Sequence, residues 1–361
     1  MNKARILIAG GYGAVGQEVV KLISQRSDMT AVVGGRNRDK ARKCAEQFDC
    51  EWQVMDLDDL ESIKVNLHSI DIVINAFIPS DAYHVDLAEM AIGAGTHYLD
   101  VNAFIGYSER VMKLDPVAKE KDVTLITALG AYPGIPALLI ADAMHHFSEI
   151  KSSNIYFAMG GKLEGMTPLA ISGLDYMMNV TPMKWKDDHW ENAEMKGTSE
   201  IMGEPFNKKI GFFPGMITYD LLKIPDMVKI EQIANWSGME NALQGMILYF
   251  GVKLGLGKNE KRAKKFLGLL KFLGKSMRYH PDTALKIVVD GIQDGTQKKR
   301  TIELHHTEDY LTALIPVLAC EQLIGGQIEK RGAFTGPQVF DTGALIDGLK
   351  DSLVAYHEEW T

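Results

Sequence analysis

Across the first 145 residues, short runs that are apolar throughout alternate with segments whose apolar positions recur at helical spacing. The runs are Arg5–Ala9, Ala31–Val33, Trp52–Met55, Asp71–Ala76, His97–Val101 and Val123–Ala128, and the helical segments include Val15–Ile23, Ala41–Phe48 and Val85–Ala94. A strand that is apolar on both faces has to be buried on both, and strands separated by helices pair in parallel. This stretch therefore predicts a doubly wound parallel sheet of six strands with helices on either face, the Rossmann arrangement that binds dinucleotides.

After Pro136 the pattern changes. A strand is expected over 152–160, a helix over 168–180 and an antiparallel meander over 181–236, with alternation in Lys229–Trp236. Two helices are expected in 240–278, strands at 284–293 and 298–306, a strong helix at 308–325 and a last amphipathic helix at 343–358. The whole is an α/β chain with a second α+β domain built on a mixed or antiparallel sheet. The expected division is 1–137, rejoined by a C-terminal return of 326–361, for the dinucleotide-binding domain, and 138–325 for substrate binding and dimerisation. A length of 361 residues suits two cores better than one.

Gly11-Tyr12-Gly13-Ala14-Val15-Gly16 is a GxGxxG that follows the first strand and opens the first helix. In such a loop the first glycine permits a tight turn and the second lets backbone approach a pyrophosphate. The third lets helix and strand pack closely while the helix N-terminus faces the negative charge. The end of the second strand discriminates between cofactors. Sites for NAD place a carboxylate there for the ribose 2′-OH. This chain has Gly34-Gly35-Arg36-Asn37-Arg38 instead, so Arg36 can pair with a 2′-phosphate or stack on adenine, with a solvated basic loop as the alternative, and NADP(H) is the expected cofactor. Asp56 and Leu57 follow the third strand, where adenine would lie; Asp56 serves either there or as the N-cap of the next helix. Asn75-Ala76-Phe77 ends the fourth strand at the position that meets ribose and nicotinamide, with a buried turn asparagine as the alternative for Asn75.

The segments GGYGAVGQEVV, VVGGRNRDKA, DIVINAFIP, GTHYLDVN and ALGAYPGIPALL together resemble the saccharopine dehydrogenase (saccharopine reductase) superfamily. The family's G-x-x-Y-x-D strand is matched by Gly95-Thr96-His97-Tyr98-Leu99-Asp100, and its G-x-x-P-G segment by Gly130-Ala131-Tyr132-Pro133-Gly134. The resemblance covers the first 145 residues and extends loosely to Tyr310–Gly332. It implies NADP(H)-dependent hydride transfer at a carbon–nitrogen bond of an amino-acid-derived imine or secondary amine, and an α+β second domain that often forms a homodimer. One departure stands out: where related sequences tend to have Pro-Pro-Glu near the end, this chain has Gly336-Pro337-Gln338. Relatives of unsettled function and trans-acting enoyl reductases of lipid biosynthesis leave two further readings open, an enoyl reductase and a dinucleotide-binding scaffold or sensor without efficient turnover.

Asp100 ends the fifth strand at the sheet's carboxyl edge, either to hold the substrate amine or move a proton, or to cap backbone amides before Asn102. Tyr98 shares its face, whereas His97 points to the other side as a core histidine. Tyr132 either offers a phenol near the nicotinamide or substrate or packs as an amphipathic group; Gly130 joins the cofactor set through its loop. No histidine pattern suits a metal, and three cysteines without a CxxC fit a reducing compartment. A net charge of −8 argues against a whole-surface nucleic-acid binder, and the partner expected is a small-molecule substrate. The opening MNKARILIAGG has no signal-peptide pattern, so a cytoplasmic protein is expected. Residues 258–278 carry eight basic residues against one acidic, interleaved with Leu and Phe. They read either as a lid or dimer helix or as an amphipathic helix for peripheral contact with an anionic membrane.

Overall fold

The computed structural model describes residues 3–56, 67–77, 85–160, 180–256, 260–274 and 280–361. Its elements begin with β1 (Ala4–Ala9), α1 (Ala14–Ser24), β2 (Met29–Gly35), α2 (Arg38–Phe48), β3 (Glu51–Val54), β4 (Ile72–Asn75), α3 (Asp86–Ala94) and β5 (His97–Asp100). Next come α4 (Ile105–Met112), α5 (Asp115–Glu120), β6 (Thr124–Thr127), α6 (Ile135–Ala143), β7 (Glu149–Met159), β8 (Met183–Lys186), β9 (His189–Asn192), β10 (Thr198–Met202) and β11 (Lys208–Pro214). The chain continues with α7 (Tyr219–Leu222), β12 (Ile230–Met239), α8 (Ala242–Lys253), α9 (Glu260–Gly274), β13 (Thr283–Gln293) and β14 (Thr296–His306). It ends with α10 (Glu308–Ile324), β15 (Gly332–Thr335), α11 (Thr342–Lys350) and β16 (Ala355–Trp360).

Among the described residues, seven strands pair in parallel in the order β15-β6-β5-β4-β1-β2-β3. Each of the six apolar runs supplies one of them. β1 is an interior strand between β4 and β2, and its Ile6, Leu7, Ile8 and Ala9 are wholly buried because helices cover both faces. α1 buries Val15, Val19, Leu22 and Ile23 and packs against α10, with an Arg26–Glu321 ion pair of 2.8 Å at its end. β15 is the one strand of this sheet, among the described residues, that no apolar run in the sequence marks. Gly332 at φ 130° opens it, and its Ala333 N–H donates to Asp115 at 3.0 Å.

The second sheet runs β10-β11-β12-β7-β13-β14-β16, with β8 paired to β12 and β9. Only β12 and β7 are parallel among its described pairs, so the expected mixed sheet is present. β13 and β14 form a long hairpin because Asp294 and Gly295 both take positive φ, 50° and 73°, the two-residue turn whose twist matches its strands.

Two compact units result: Met1–Leu138 with Thr218–Leu221 and Glu308–Gly348, and Leu139–Ile217 with Leu222–Thr307 and Leu349–Thr361. The expected return at 326–361 thus starts earlier, at Glu308, since α10 packs on α1; it also stops earlier, since residues 349–361 belong to the second unit. The helix expected over 343–358 ends at Lys350, and Ala355–Trp360 pairs antiparallel with β14 instead. The reason lies outside the local pattern: β14 offers an unpaired edge, and Glu358 finds a cationic partner in Arg300 on that strand. The helix expected at 168–180 and the candidate Leu57 lie outside the described residues. No described helix is long and apolar enough to cross a membrane.

Candidate cofactor site

The turn after β1 is carried by Gly10, at φ 81°, rather than by Gly11. Gly10 and Gly11 donate N–H groups to the Gly34 carbonyl at 3.0 and 3.1 Å, which ties the loop to the end of β2, and Gly13 donates to Gly10 at 2.8 Å. A Cβ on Gly16 would lie 2.2 Å from the Gly10 oxygen, and one on Gly10 would lie 2.8 Å from Phe77 Cβ. Gly16 lets the helix approach the strand end, and Gly10 lets the turn pass close to Phe77 after β4. α1 then begins behind Gly13 with no side-chain cap and no acidic residue in its first turn. Its first N–H groups and positive dipole end therefore face outward over a glycine-lined cradle, an anion site that fits the pyrophosphate of a dinucleotide.

At the adenosine side, the Tyr12 ring lies against Gly35, where a Cβ would come within 2.2 Å of it. The Asn37 N–H reaches the Tyr12 hydroxyl at 3.3 Å. The Asn37 side chain is engaged as the N-cap of α2, accepting from Lys40 N at 3.0 Å. Arg36 is exposed just past β2 and has no ion-pair partner among the described residues, while Arg38 stacks over Trp52 at 5.6 Å. Asp56 is half-buried beyond the end of β3.

Asn75 and Asp100 are neighbours at the carboxyl ends of β4 and β5, beside the β1–β4 point where the strand order reverses. Asn75 is buried and its side chain is fully engaged: Nδ2 donates to the Tyr98 and Tyr107 hydroxyls at 3.0 and 3.4 Å, and Oδ1 accepts from Phe77 N at 3.2 Å. It holds the turn through Ala76 and Phe77, the asparagine-turn alternative. The two phenols share a 2.5 Å hydrogen bond, and burial raises the pKa of each, so both remain neutral. Tyr107, on α4, had no signal in the sequence.

Asp100 is wholly buried. Its Oδ1 accepts from Asn102 N at 2.9 Å, Thr127 Oγ1 at 3.1 Å and Ala128 N at 3.5 Å, whereas Oδ2 has no partner. Burial pushes its pKa up to about 7, with those hydrogen bonds opposing. The residue thus ties β5 to the end of β6, where Ala128 sits at φ 62°. A carboxyl whose pKa is near 7 when folded, against 3.8 ordinarily, binds its proton more tightly when folded. Its contribution to stability is present below the lower value and is lost as pH rises toward the upper one. Between pH 5 and 8 that loss is expected to be about 2 to 3 kcal/mol. Urea unfolding of Asp100→Asn at the two pH values should show that much less decline than the parent; equal slopes would refute the assignment.

The following loop closes on itself. Gly134, at φ 116°, bridges to Gly130, and a Cβ there would lie 2.4 Å from the Gly130 oxygen. The Gly134 N–H donates at 2.8 Å to Asp220, a buried carboxyl raised by desolvation to about 6, whose Oδ1 is unpartnered. Asp220 lies 86 positions further along the chain, on the segment Thr218–Leu221 that joins the first unit. Nothing in ITYDLL marked it beforehand. Tyr132 is half-buried on this loop. His97, on the opposite face of β5, accepts from Thr124 N at 2.9 Å. Burial first, and Arg331 next, lower its pKa, as suits a neutral structural imidazole. Gln338 caps a turn, its Oε1 accepting from Thr335 N at 2.7 Å. A glutamate could accept the same bond, so the departure from Pro-Pro-Glu preserves the local fold.

The description "saccharopine dehydrogenase NADP binding domain" matches residues 6–126. Among solved structures, apo saccharopine dehydrogenase (L-Glu forming) from Saccharomyces cerevisiae is similar over 99% of this chain and 100% of that one, with a TM-score of 0.74 at 15% identity. A dehydrogenase from Chromobacterium violaceum has a TM-score of 0.45 at 11% identity, over 97% and 93% of the two chains. The WlbA dehydrogenase from Thermus thermophilus, in complex with NAD and α-ketoglutarate, has 0.44 at 11%, over 96% and 92%. The glycine cradle, the open helix terminus and the parallel sheet agree with that match: residues 6–126 are similar to the saccharopine dehydrogenase NADP-binding domain, and the chain has the fold of the yeast saccharopine dehydrogenase.

Proposed function

We propose that the protein is an NADP(H)-dependent oxidoreductase that transfers hydride at a carbon–nitrogen bond of an amino-acid-derived imine or secondary amine. The observation that carries the cofactor half is the uncapped N-terminus of α1 over its glycine cradle, combined with Arg36 where an NAD site has a carboxylate. The family of residues 6–126 supports the same reading, and the fold shared with a saccharopine dehydrogenase supports the carbon–nitrogen half. The nicotinamide, when bound, supplies the hydride; an imine carbon takes it and the nitrogen takes one proton, giving amine and oxidised cofactor.

The chain's own residues bind and orient. Gly11, Gly13 and the α1 terminus hold the pyrophosphate, Arg36 holds the 2′-phosphate, and the Tyr12 ring borders the adenosine side. Asn75 and Asp100 act as positioning residues. They fix the β4 turn and the β6 loop, from which Tyr132 is aimed at the carboxamide or substrate.

In fluorescence titration NADPH should bind more tightly than NADH. Arg36→Ala should weaken NADPH by about 10- to 100-fold, the worth of a charge-assisted contact, and leave NADH unchanged. Equal affinities in the parent would remove the 2′-phosphate assignment. NADPH oxidation should follow addition of an amine with a 2-oxo acid; turnover with enoyl thioesters alone would overturn the carbon–nitrogen assignment.

A further inference from the structure

The helices α8 and α9 belong to the second unit, and they expose what helices of a globular protein bury. Leu243, Met246, Phe250 and Leu254 are 46, 53, 53 and 73% exposed. At the helical period they fall within an arc of about 80° on one side of α8 and its continuation. On α9, Leu269 and Phe272 are 49 and 70% exposed. The opposite sides carry the packing. Phe266 is buried against Gly251, where a Cβ would lie 2.0 Å from its ring, and Gln244 and Leu248 are buried as well. The pair is thus anchored on its inner side and apolar on its outer one.

Charge selects the occupant. Residues 242–278 hold nine Lys and Arg against the single Glu260, a net of +8, so the rest of this −8 chain carries −16. Lys261 and Lys265 are exposed on the same arc of α9 as Leu269 and Phe272. An isologous pairing of two copies would bring two such cationic patches together, which opposes it. A nucleic acid would meet the lysines but gain nothing from the Leu–Met–Phe stripe. An anionic bilayer satisfies both features, with apolar side chains entering the acyl boundary and cations meeting headgroups.

We infer that the α8–α9 pair is a peripheral docking surface for anionic membranes. The inference stands independently of the substrate reading. It is tested by flotation of the full-length protein with phosphatidylcholine vesicles, either pure or with about one-third phosphatidylserine. The protein should float with the anionic vesicles and stay behind with the neutral ones. The triple variant Phe250→Ser, Leu254→Ser, Phe272→Ser and the double variant Lys261→Glu, Lys265→Glu should each lower the bound fraction at least about tenfold. Both should bind NADPH as the parent does, which certifies the fold. Absence of parent flotation, or unchanged flotation of the charge variant, would overturn the inference. So would sedimentation showing a dimer that these same substitutions dissolve, because the surface would then seat a second copy.

Discussion

Gly16→Ala is expected to abolish useful dinucleotide binding and to destabilise the first unit. The added methyl would lie 2.2 Å from the Gly10 oxygen, 2.8 Å from the Gly10 carbonyl carbon and 2.8 Å from Gly11 Cα. All three are backbone atoms, so no rotamer change relieves the overlap; α1 has to move off β1. Overpacking of this kind costs about 1 to 3 kcal/mol, which lowers the thermal midpoint by about 3 to 10 °C. The displaced helix terminus also loses its aim at the pyrophosphate, and NADPH affinity is expected to fall at least about 100-fold, or ~2.7 kcal/mol. Gly93→Ala, late in α3, is the matched control. A Cβ there meets nothing within 4 Å, and removing a helical glycine should add about 0.5 to 1 kcal/mol. Retained affinity and an unchanged midpoint in Gly16→Ala would show that the cradle holds no cofactor.

The architecture around that cradle was legible because its determinants are local and periodic. An apolar run states that a strand is buried on both faces, and GxGxxG states a turn with close helix approach. β15 escaped because GAFT is four residues long and opens on glycine. Its strand conformation comes from pairing with β6, more than 200 residues earlier in the chain. β16 escaped for the same physical reason, since its place depends on the β14 edge and on Arg300. Asp220 reaches Gly134 only after the chain has folded back.

Residue roles were less legible than residue types. Asn75 and Asp100 stand at the carboxyl edge, as the strand pattern requires, yet their polar atoms face inward to Phe77, Asn102, Thr127 and Ala128. A strand's period gives the face on which a side chain emerges, not the χ angles that choose its partner. Arg36 differs because it has no ion-pair partner among the described residues, and its pairing with a 2′-phosphate stays part of the proposed function.

Arg300→Met is expected to cost the second unit about 3 to 5 kcal/mol, because it removes the cation from between two acids. Arg300 is 2% exposed; its Nη1 donates to Asp142 at 2.6 Å and its Nε to Glu358 at 2.8 Å, under the Trp360 ring at 5.4 Å. Without it, the Asp142 side chain, 4% exposed, keeps among the described residues only the His146 imidazole at 3.3 Å as an ion-pair partner, and β16 loses its link to β14 through Glu358. Adding Asp142→Leu should restore more than half of the loss, since an apolar pair can replace a buried ion pair where a lone charge cannot. Glu358 sharpens the test. Burial alone would raise its pKa, but the hydrogen bond and charge of Arg300, with Tyr356 and Trp360, hold it below 4.5. Its stabilisation is therefore complete above that value and is lost as pH falls through the folded one. The parent should show this acid decline in urea unfolding, whereas Arg300→Met should show less of it and should be clipped faster by protease near Ala355–Trp360. A variant within about 1 kcal/mol of the parent, with the acid decline intact, would mean that the backbone ladder alone holds the C-terminal strand.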